Sequence, residues 1–192
     1  QPSNASNTYW YNLRIGSLGR YVGYESMREP YHPHAFDDTS AERGQEVSTS
    51  TRVVNPETEL YASQLVRASQ AYQWAFYGNP YNGFRMVNRE RGNTYSLTVD
   101  GTARPASHLA TNNLTEVPNA VLREGNFFWD IHRNTKNSHP NGFVLNLRGQ
   151  TNMYINPYGS SDGFFQIWQS PSAQEDTNSQ LLVEEAPNTA AI

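Results

Sequence analysis

Apolar and polar residues alternate in two stretches of the chain that closely resemble each other. Residues 83–101 read GFRMVNRERGNTYSLTVDG, and residues 142–159 read GFVLNLRGQTNMYINPYG. In the second stretch Phe143, Leu145 and Leu147 occupy every other position. A period of two is typical of a β-strand with one buried face. Each stretch therefore predicts a strand at its start.

Each stretch continues into a second run with high β-propensity. A polar segment containing glycine leads to residues 94–99 in the first copy and to residues 153–155 in the second. A shorter version, WYNLRIGSLGRYVGYE, lies near the start, where Tyr11, Leu13 and Ile15 alternate with polar residues. Strand, turn and strand in this order predict a hairpin. The chain is therefore predicted to contain three hairpins of this kind.

A second kind of hairpin is predicted between these three. Residues 64–76 (QLVRASQAYQWAF) and 120–131 (AVLREGNFFWDI) each pair a short apolar strand with a strand that carries a tryptophan. Residues 163–185 form the third example, with Trp168 on the first strand. No segment shows the three-to-four residue spacing of an amphipathic helix. Six hairpins give twelve strands and an all-β chain.

Three four-stranded repeats must share one core, because a lone hairpin cannot bury its apolar face. The predicted fold class is an all-β β-trefoil, in which six strands form a barrel and three hairpins cap one end. We expect a single domain over residues 1–192. Its predicted parts are repeats at 8–79, 80–139 and 140–187, a long insertion at 25–59, and flexible tails at 1–7 and 187–192.

The chain resembles the ricin-type β-trefoil family from about residue 9 to residue 185. The resemblance depends on the threefold spacing, the run Gln-Trp-Ala-Phe at residues 73–76, and the run Gln-Ile-Trp at residues 166–168. The cysteines of that family are absent, since the chain contains no cysteine. The insertion at 25–59 is also not accounted for by the family pattern.

Membership of such a family implies a sugar-binding function, with up to one shallow pocket in each repeat. The family places an Asp after the second strand, an aromatic residue on the third, and an Asn before the fourth. In the third repeat these positions correspond to Asn156, Trp168 and Asn178, and Asp162 is a candidate for the missing carboxylate. In the second repeat only Asp100 matches. The resemblance thus predicts one pocket in the third repeat and a weaker candidate in the second.

A purely structural interpretation of these residues stays open. Trp74 and Trp129 are expected in the core, and Trp168 competes for the interior with its apolar neighbours. Asn156 precedes a proline and also fits the start of a turn. Trefoils can keep the barrel and lose the pockets, since the core fixes the fold and the loops carry the function.

Charge and composition exclude several classes of function. The chain has 14 Lys and Arg residues, a net charge of −4, and no basic cluster, which argues against a nucleic-acid partner. No apolar run is long enough to span a bilayer, so no membrane partner is expected. A surface rich in Asn, Thr, Ser and Tyr with a single Lys favours an extracellular, periplasmic or cell-surface location. The first residue, Gln1, suggests a processed form.

Candidate catalytic and metal-binding residues do not form a recognisable set. The stretch YHPHAFDD collects His32, His34, Asp37 and Asp38, but their spacing matches no established ligand pattern. The adjacent carboxylates at 184–185 point to opposite faces of a predicted strand. The chain is therefore predicted to have no metal site, no cofactor and no enzymatic activity.

Two functions remain open at this point. The first is a non-catalytic carbohydrate-binding protein, a lectin-like module whose partner is a glycan or polysaccharide. The second is a trefoil interaction scaffold similar to Kunitz-type protease inhibitors, with a protein partner recognised by the 25–59 loop.

Overall fold

The computed structural model of the protein describes seven stretches of the chain: residues 1–15, 20–24, 33–37, 67–99, 120–133, 142–156 and 166–187. Within these residues the regular structure consists of β-strands and short 3-10 turns. None of the helical segments there is long and apolar enough to cross a bilayer. The strands are β1 (Tyr11–Ile15), β2 (Arg20–Tyr24), β3 (Pro33–Asp37), β4 (Trp74–Asn79), β5 (Gly83–Asn88), β6 (Tyr95–Val99), β7 (Ala120–Glu124), β8 (Trp129–Arg133), β9 (Phe143–Leu147), β10 (Met153–Asn156), β11 (Gln166–Gln169) and β12 (Leu181–Glu185).

Six strands pair in a ring. Strand β1 pairs with β4, β4 with β5, β5 with β8, β8 with β9, β9 with β12, and β12 with β1 again, always antiparallel. These six are the first and last strands of three successive four-strand repeats. The predicted all-β trefoil, with its six-stranded barrel, is confirmed.

The ring pairings are of two lengths. Inside a repeat, the first and last strands meet at a single residue pair. These equivalent pairs are Tyr11↔Trp74, Phe84↔Trp129 and Phe143↔Leu181. Between repeats the ladders extend over five or six residue pairs. Each repeat therefore obtains most of its barrel hydrogen bonds from its neighbours.

The remaining six strands form three cap hairpins: β2 with β3, β6 with β7, and β10 with β11. The hairpins expected between the first two strands of the first and third repeats keep one residue pair each, Arg14↔Tyr21 and Tyr154↔Asn146. The hairpins expected within residues 83–101 and within residues 120–131 are wrong. Instead β5 pairs with β4, and β6 pairs with β7. Alternation predicts where a strand lies and which face it buries, but the partner depends on the closure of the barrel.

The third strand of the first repeat is also not where the pattern placed it. That strand is β3, Pro33–Asp37, which lies inside the segment 25–59 that was interpreted as an insertion. It begins with proline and does not alternate, so its sequence gives little strand signal. Gln70–Tyr72 forms a 3-10 turn before β4. The remainder of the segment 25–59 lies outside the described residues.

Trp74 and Trp129 are core residues, as predicted. They are 1% and 0% exposed, and each belongs to the main hydrophobic cluster inside the barrel. The indole nitrogen of Trp74 donates to the carbonyl of Val22 at 2.9 Å, and that of Trp129 donates to the carbonyl of Leu97 at 2.8 Å. Each bond joins the last strand of a repeat to its own cap hairpin. In the third repeat Leu181 occupies this position and cannot make the bond.

We predict that Trp129→Phe lowers the free energy of unfolding by about 1–3 kcal/mol, because the buried carbonyl of Leu97 loses its donor. Trp74→Phe should have a similar effect through Val22. Urea denaturation measures both. The control is Phe128→Leu, since Phe128 is 40% exposed and its change should stay within about 0.5 kcal/mol. Equal stability of Trp129→Phe and the unmodified protein would contradict the proposed role of the indole bond.

Candidate functional site in the third repeat

The hairpin of β10 and β11 has one face in the core and one face outside it. Ile155 pairs with Ile167, and both belong to the main hydrophobic cluster. Tyr154 pairs with Trp168, one position away from that apolar pair. Because neighbouring residues of a strand point to opposite faces, Tyr154, Asn156 and Trp168 share the outer face. The outer face holds two of the residues that were predicted to bind sugar.

Asn156 lies at the end of β10 and is 2% exposed. Its amide nitrogen donates to Ser179 Oγ at 2.8 Å and to Asp176 Oδ1 at 3.2 Å. Both acceptors precede β12, in the connection from β11. Asn156 thus ties the end of the hairpin to this connection and places a carboxylate beside itself.

The connection between β11 and β12 is made of two 3-10 turns, Pro171–Gln174 and Thr177–Ser179. Gln180, which is fully buried, holds them together. Its Nε2 donates to the carbonyl of Gln174 at 2.8 Å and to that of Asp176 at 3.1 Å. The backbone at Asp176 is therefore fixed from one side while its carboxylate is fixed from the other.

Trp168 is half-buried and packs against Val144 and Tyr154. Tyr154 is 4% exposed, and its hydroxyl donates to Gln174 Oε1 at 3.3 Å. The His132 ring meets Tyr154 edge-on, with 6.3 Å between ring centroids. Burial raises the pKa of the Tyr154 phenol above its ordinary value of 10.0. Trp168 thus packs beside a hydrogen-bonded tyrosine on the neighbouring strand.

The predicted site residues are placed as follows. Asn156 and Trp168 lie on one face of the same hairpin. Asn178 belongs to the turn Thr177–Ser179, next to the residue that Asn156 contacts. Asp162 and Asp100 lie outside the described residues, so their assignment stays a prediction.

Sequence reasoning missed Asp176 and Ser179. Both are held by Asn156, and Asp176 supplies a carboxylate next to the neutral residue that stands in place of the family's Asp. The signal available in the sequence was the polar run QEDTNSQ directly before the last strand. The run does not show which of its members faces β10, because that depends on the course of two short turns.

We predict that Asn156→Ala lowers the free energy of unfolding by about 1–3 kcal/mol, since the buried Ser179 hydroxyl and the half-buried Asp176 carboxylate each lose the hydrogen bond from Asn156. Asn156→Asp should be more destabilising at neutral pH, because it sets a second carboxylate against Asp176, and should recover as the pH falls. The matched control is Asn126→Ala at an exposed position. Chemical denaturation at neutral and acidic pH tests the series. An Asn156→Asp variant whose stability does not improve in acid would contradict the contact.

We also predict a loss of stability in alkali that depends on Tyr154. A phenol whose pKa is raised by folding stabilises the protein fully below the unfolded pKa of about 10, and this contribution is lost as the pH rises further. Tyr154→Phe should therefore show a smaller fall in Tm between about pH 9 and pH 11 than the unmodified protein. Tyr81→Phe is the control, since Tyr81 is 88% exposed. An equal fall in Tm between about pH 9 and pH 11 for all three proteins would contradict the role of Tyr154.

Comparison with known proteins identifies the fold and no closer relationship. No family model matches the chain. No curated protein matches it either. Among solved structures, the chain is similar to a ricin B-like lectin of Macrolepiota procera in complex with lactose, with a TM-score of 0.60 and 13% identity over 95% of this chain and 99% of that one.

Two further structures extend this result. The Rhizoctonia solani agglutinin matches with a TM-score of 0.60 and 10% identity, over 96% of this chain and 99% of that one. The designed threefold-symmetric protein ThreeFoil matches with a TM-score of 0.55 and 11% identity, over 92% of this chain and 98% of that one. At these identities the likeness concerns the fold. The chain has the β-trefoil fold found in ricin B-like lectins.

Proposed function

We propose that the protein is a non-catalytic carbohydrate-binding module that holds a glycan at the outer face of the third cap hairpin. The observation that carries the proposal is the polar cluster of Asn156, Asp176 and Ser179 on the face that also presents Trp168. A pyranose offers a patch of C–H groups and a set of vicinal hydroxyls. The Trp168 ring is suited to the C–H groups, and the polar cluster is suited to the hydroxyls.

Each residue has a distinct role in this proposal. The part of Trp168 that is exposed stacks on the sugar ring, and the Asp176 carboxylate accepts hydrogen bonds from two hydroxyls. Asn156 is 2% exposed and therefore acts as a positioning residue for Asp176 and Ser179. Asn178 and Asp162 are proposed as further polar contacts. Asp100 is proposed as the polar group of a second pocket.

The comparisons support this proposal at the level of the fold. The Macrolepiota procera protein is named as a lectin and was solved with lactose, and the Rhizoctonia solani protein is named as an agglutinin. A non-catalytic role is favoured by the structural use of Glu184, which lies 2.9 Å from Arg14 and 3.5 Å from Arg67. Its neighbour Glu185 points to the other face of β12, so the two carboxylates do not form a catalytic pair. Export from the cell is part of the same proposal.

A glycan array tests the assigned site. We expect the native protein to bind at least one class of glycan, and Trp168→Ala to bind it at least about tenfold more weakly, equivalent to about 1.4 kcal/mol. Asp176→Asn should weaken binding by a similar factor, since a neutral amide makes weaker hydrogen bonds to hydroxyls. The matched control is Tyr81→Ala, which removes an aromatic side chain from the turn after β4.

The proposal fails if the native protein binds no glycan. The assignment of the site to the third cap hairpin fails if the Trp168→Ala and Asp176→Asn variants bind glycan as tightly as the native protein does. Circular dichroism of each variant separates a loss of binding from a loss of the fold.

A further inference from the structure

An open pocket lies where the first and last strands of the barrel meet. It has a volume of about 300 Å³ and is lined chiefly by Tyr9, Trp10, Tyr11, Arg89, Glu185 and Ala186. Pockets for small molecules have volumes from about 300 Å³ upwards. We call this opening the seam pocket.

The seam pocket exists because the chain enters and leaves the barrel at this point. Tyr11 pairs with Glu185, and the nitrogen of Ala186 donates to the carbonyl of Trp10 at 3.1 Å, which extends the β1–β12 ladder by one residue. Between β4 and β5 the corresponding gap is closed by a tight turn at residues 80–82. At the seam no turn joins the two strands, so the aromatic residues before β1 form a wall instead.

Arg89 is held in place at the edge of this wall. Its Nη1 donates to Gln73 Oε1 at 2.7 Å, and its guanidinium lies 5.3 Å from the centroid of the Trp10 ring. Gln73 is fully buried, and its Nε2 donates to the carbonyls of Arg67 and Ala68, at 3.2 Å each. Because Gln73 is held by these two hydrogen bonds, its side-chain oxygen fixes the position of the Arg89 guanidinium.

The contact between Gln73 and Arg89 joins the first and second repeats and is not repeated at Gln180. Gln180 occupies the position before β12 that Gln73 occupies before β4, and its Nε2 likewise donates to two carbonyls of the preceding turn. Its Oε1, however, has no hydrogen-bond partner among the described residues. The arginine equivalent to Arg89 in the pairing register, Arg148 after β9, instead donates to Asp130 Oδ1.

Two charges of opposite sign line the seam pocket without neutralising each other. Among the described residues, neither Arg89 nor Glu185 has an ion-pair partner. Glu185 is exposed, on the face of β12 opposite to Glu184, while Arg89 is half-buried. Burial and, to a smaller extent, the charge of Glu185 raise the pKa of the Tyr11 phenol, which keeps that ring neutral.

We propose that the seam pocket is a second carbohydrate site that binds a neutral pyranose, with Trp10 and Tyr9 as the apolar wall, Arg89 as donor and Glu185 as acceptor. This inference rests on the proposed function of the protein but not on the site in the third repeat. A neutral sugar satisfies both charged groups, since a hydroxyl can accept from a guanidinium and donate to a carboxylate. An acidic sugar would bring a like charge towards Glu185.

The test uses full-length protein carrying Trp168→Ala, so that the third-repeat site does not contribute. Isothermal titration and amide NMR shifts are recorded with methyl glycosides of glucose, galactose, mannose and N-acetylglucosamine, with lactose, and with methyl glucuronide. We expect one neutral sugar to bind and to shift the amides of residues 8–11 and 185–187.

Three further substitutions are added to this background. Glu185→Gln should weaken the remaining binding about tenfold, because a charged hydrogen-bond acceptor is lost. Ala186→Trp should abolish it by filling the pocket. Glu124→Gln is the matched control at another exposed carboxylate of a strand, and it should leave the affinity unchanged. Amide spectra of each variant report whether the fold is retained.

The outcomes separate the two proposals. If the native protein binds sugar but the Trp168→Ala protein does not, the seam site is wrong and the third-repeat site stands. If Trp168→Ala leaves the binding unchanged and the addition of Ala186→Trp abolishes it, the seam site stands and the third-repeat site is wrong. Binding of the glucuronide alone would overturn the assignment to neutral sugars. A native protein that binds none of the probes would overturn both sites.

Discussion

The pairing of barrel strands between repeats is the constraint on which the rest of the molecule depends. Inside each repeat the first and last strands touch at one residue pair, whereas the ladders to neighbouring repeats extend over five or six. A repeat on its own would leave most of the hydrogen-bonding groups of its barrel strands without partners, which is costly away from water. Three copies are needed to satisfy one another, which explains why the chain repeats one pattern of alternation.

Barrel closure also decides where function can be placed. Each cap hairpin gives one face to the core, and in the first two repeats a buried tryptophan anchors that hairpin to the last strand through its indole nitrogen. In the third repeat Leu181 replaces the tryptophan, and a polar cluster around Asn156 connects the hairpin to the same region. In the third repeat the change at the tryptophan position of the core thus coincides with the polar cluster around Asn156 on the outer face of the hairpin.

The buried glutamines show the same relation between scaffold and site. Gln73 and Gln180 each hold the turn before a last strand through two hydrogen bonds from the amide nitrogen. This use is structural and common to both repeats. What differs is the carbonyl oxygen, which accepts from Arg89 in one case and has no described partner in the other. The two glutamines thus share the contacts of the side-chain nitrogen with the preceding turn and differ in the contact of the side-chain oxygen.

The sequence by itself indicated an all-β chain, the threefold repeat and many of the apolar residues of the barrel core. Alternation of residues such as Leu13, Met86 and Leu145 is a local property, and these three side chains lie in the main hydrophobic cluster. The same pattern suggested Asn156 and Trp168 as site residues, through their positions within the repeat. Each of these features depends on residues that are close together in the chain.

Only the tertiary structure decided which strands pair and which polar groups meet. The two strands of residues 83–101 separate into barrel and cap, and β3 takes its place by pairing with β2 although its own sequence gives little strand signal. Asp176 reaches Asn156 across 20 residues, and Arg89 reaches Gln73 across 16. These contacts follow from barrel closure and from the course of short turns, which bring together groups whose relation is not encoded in any local period.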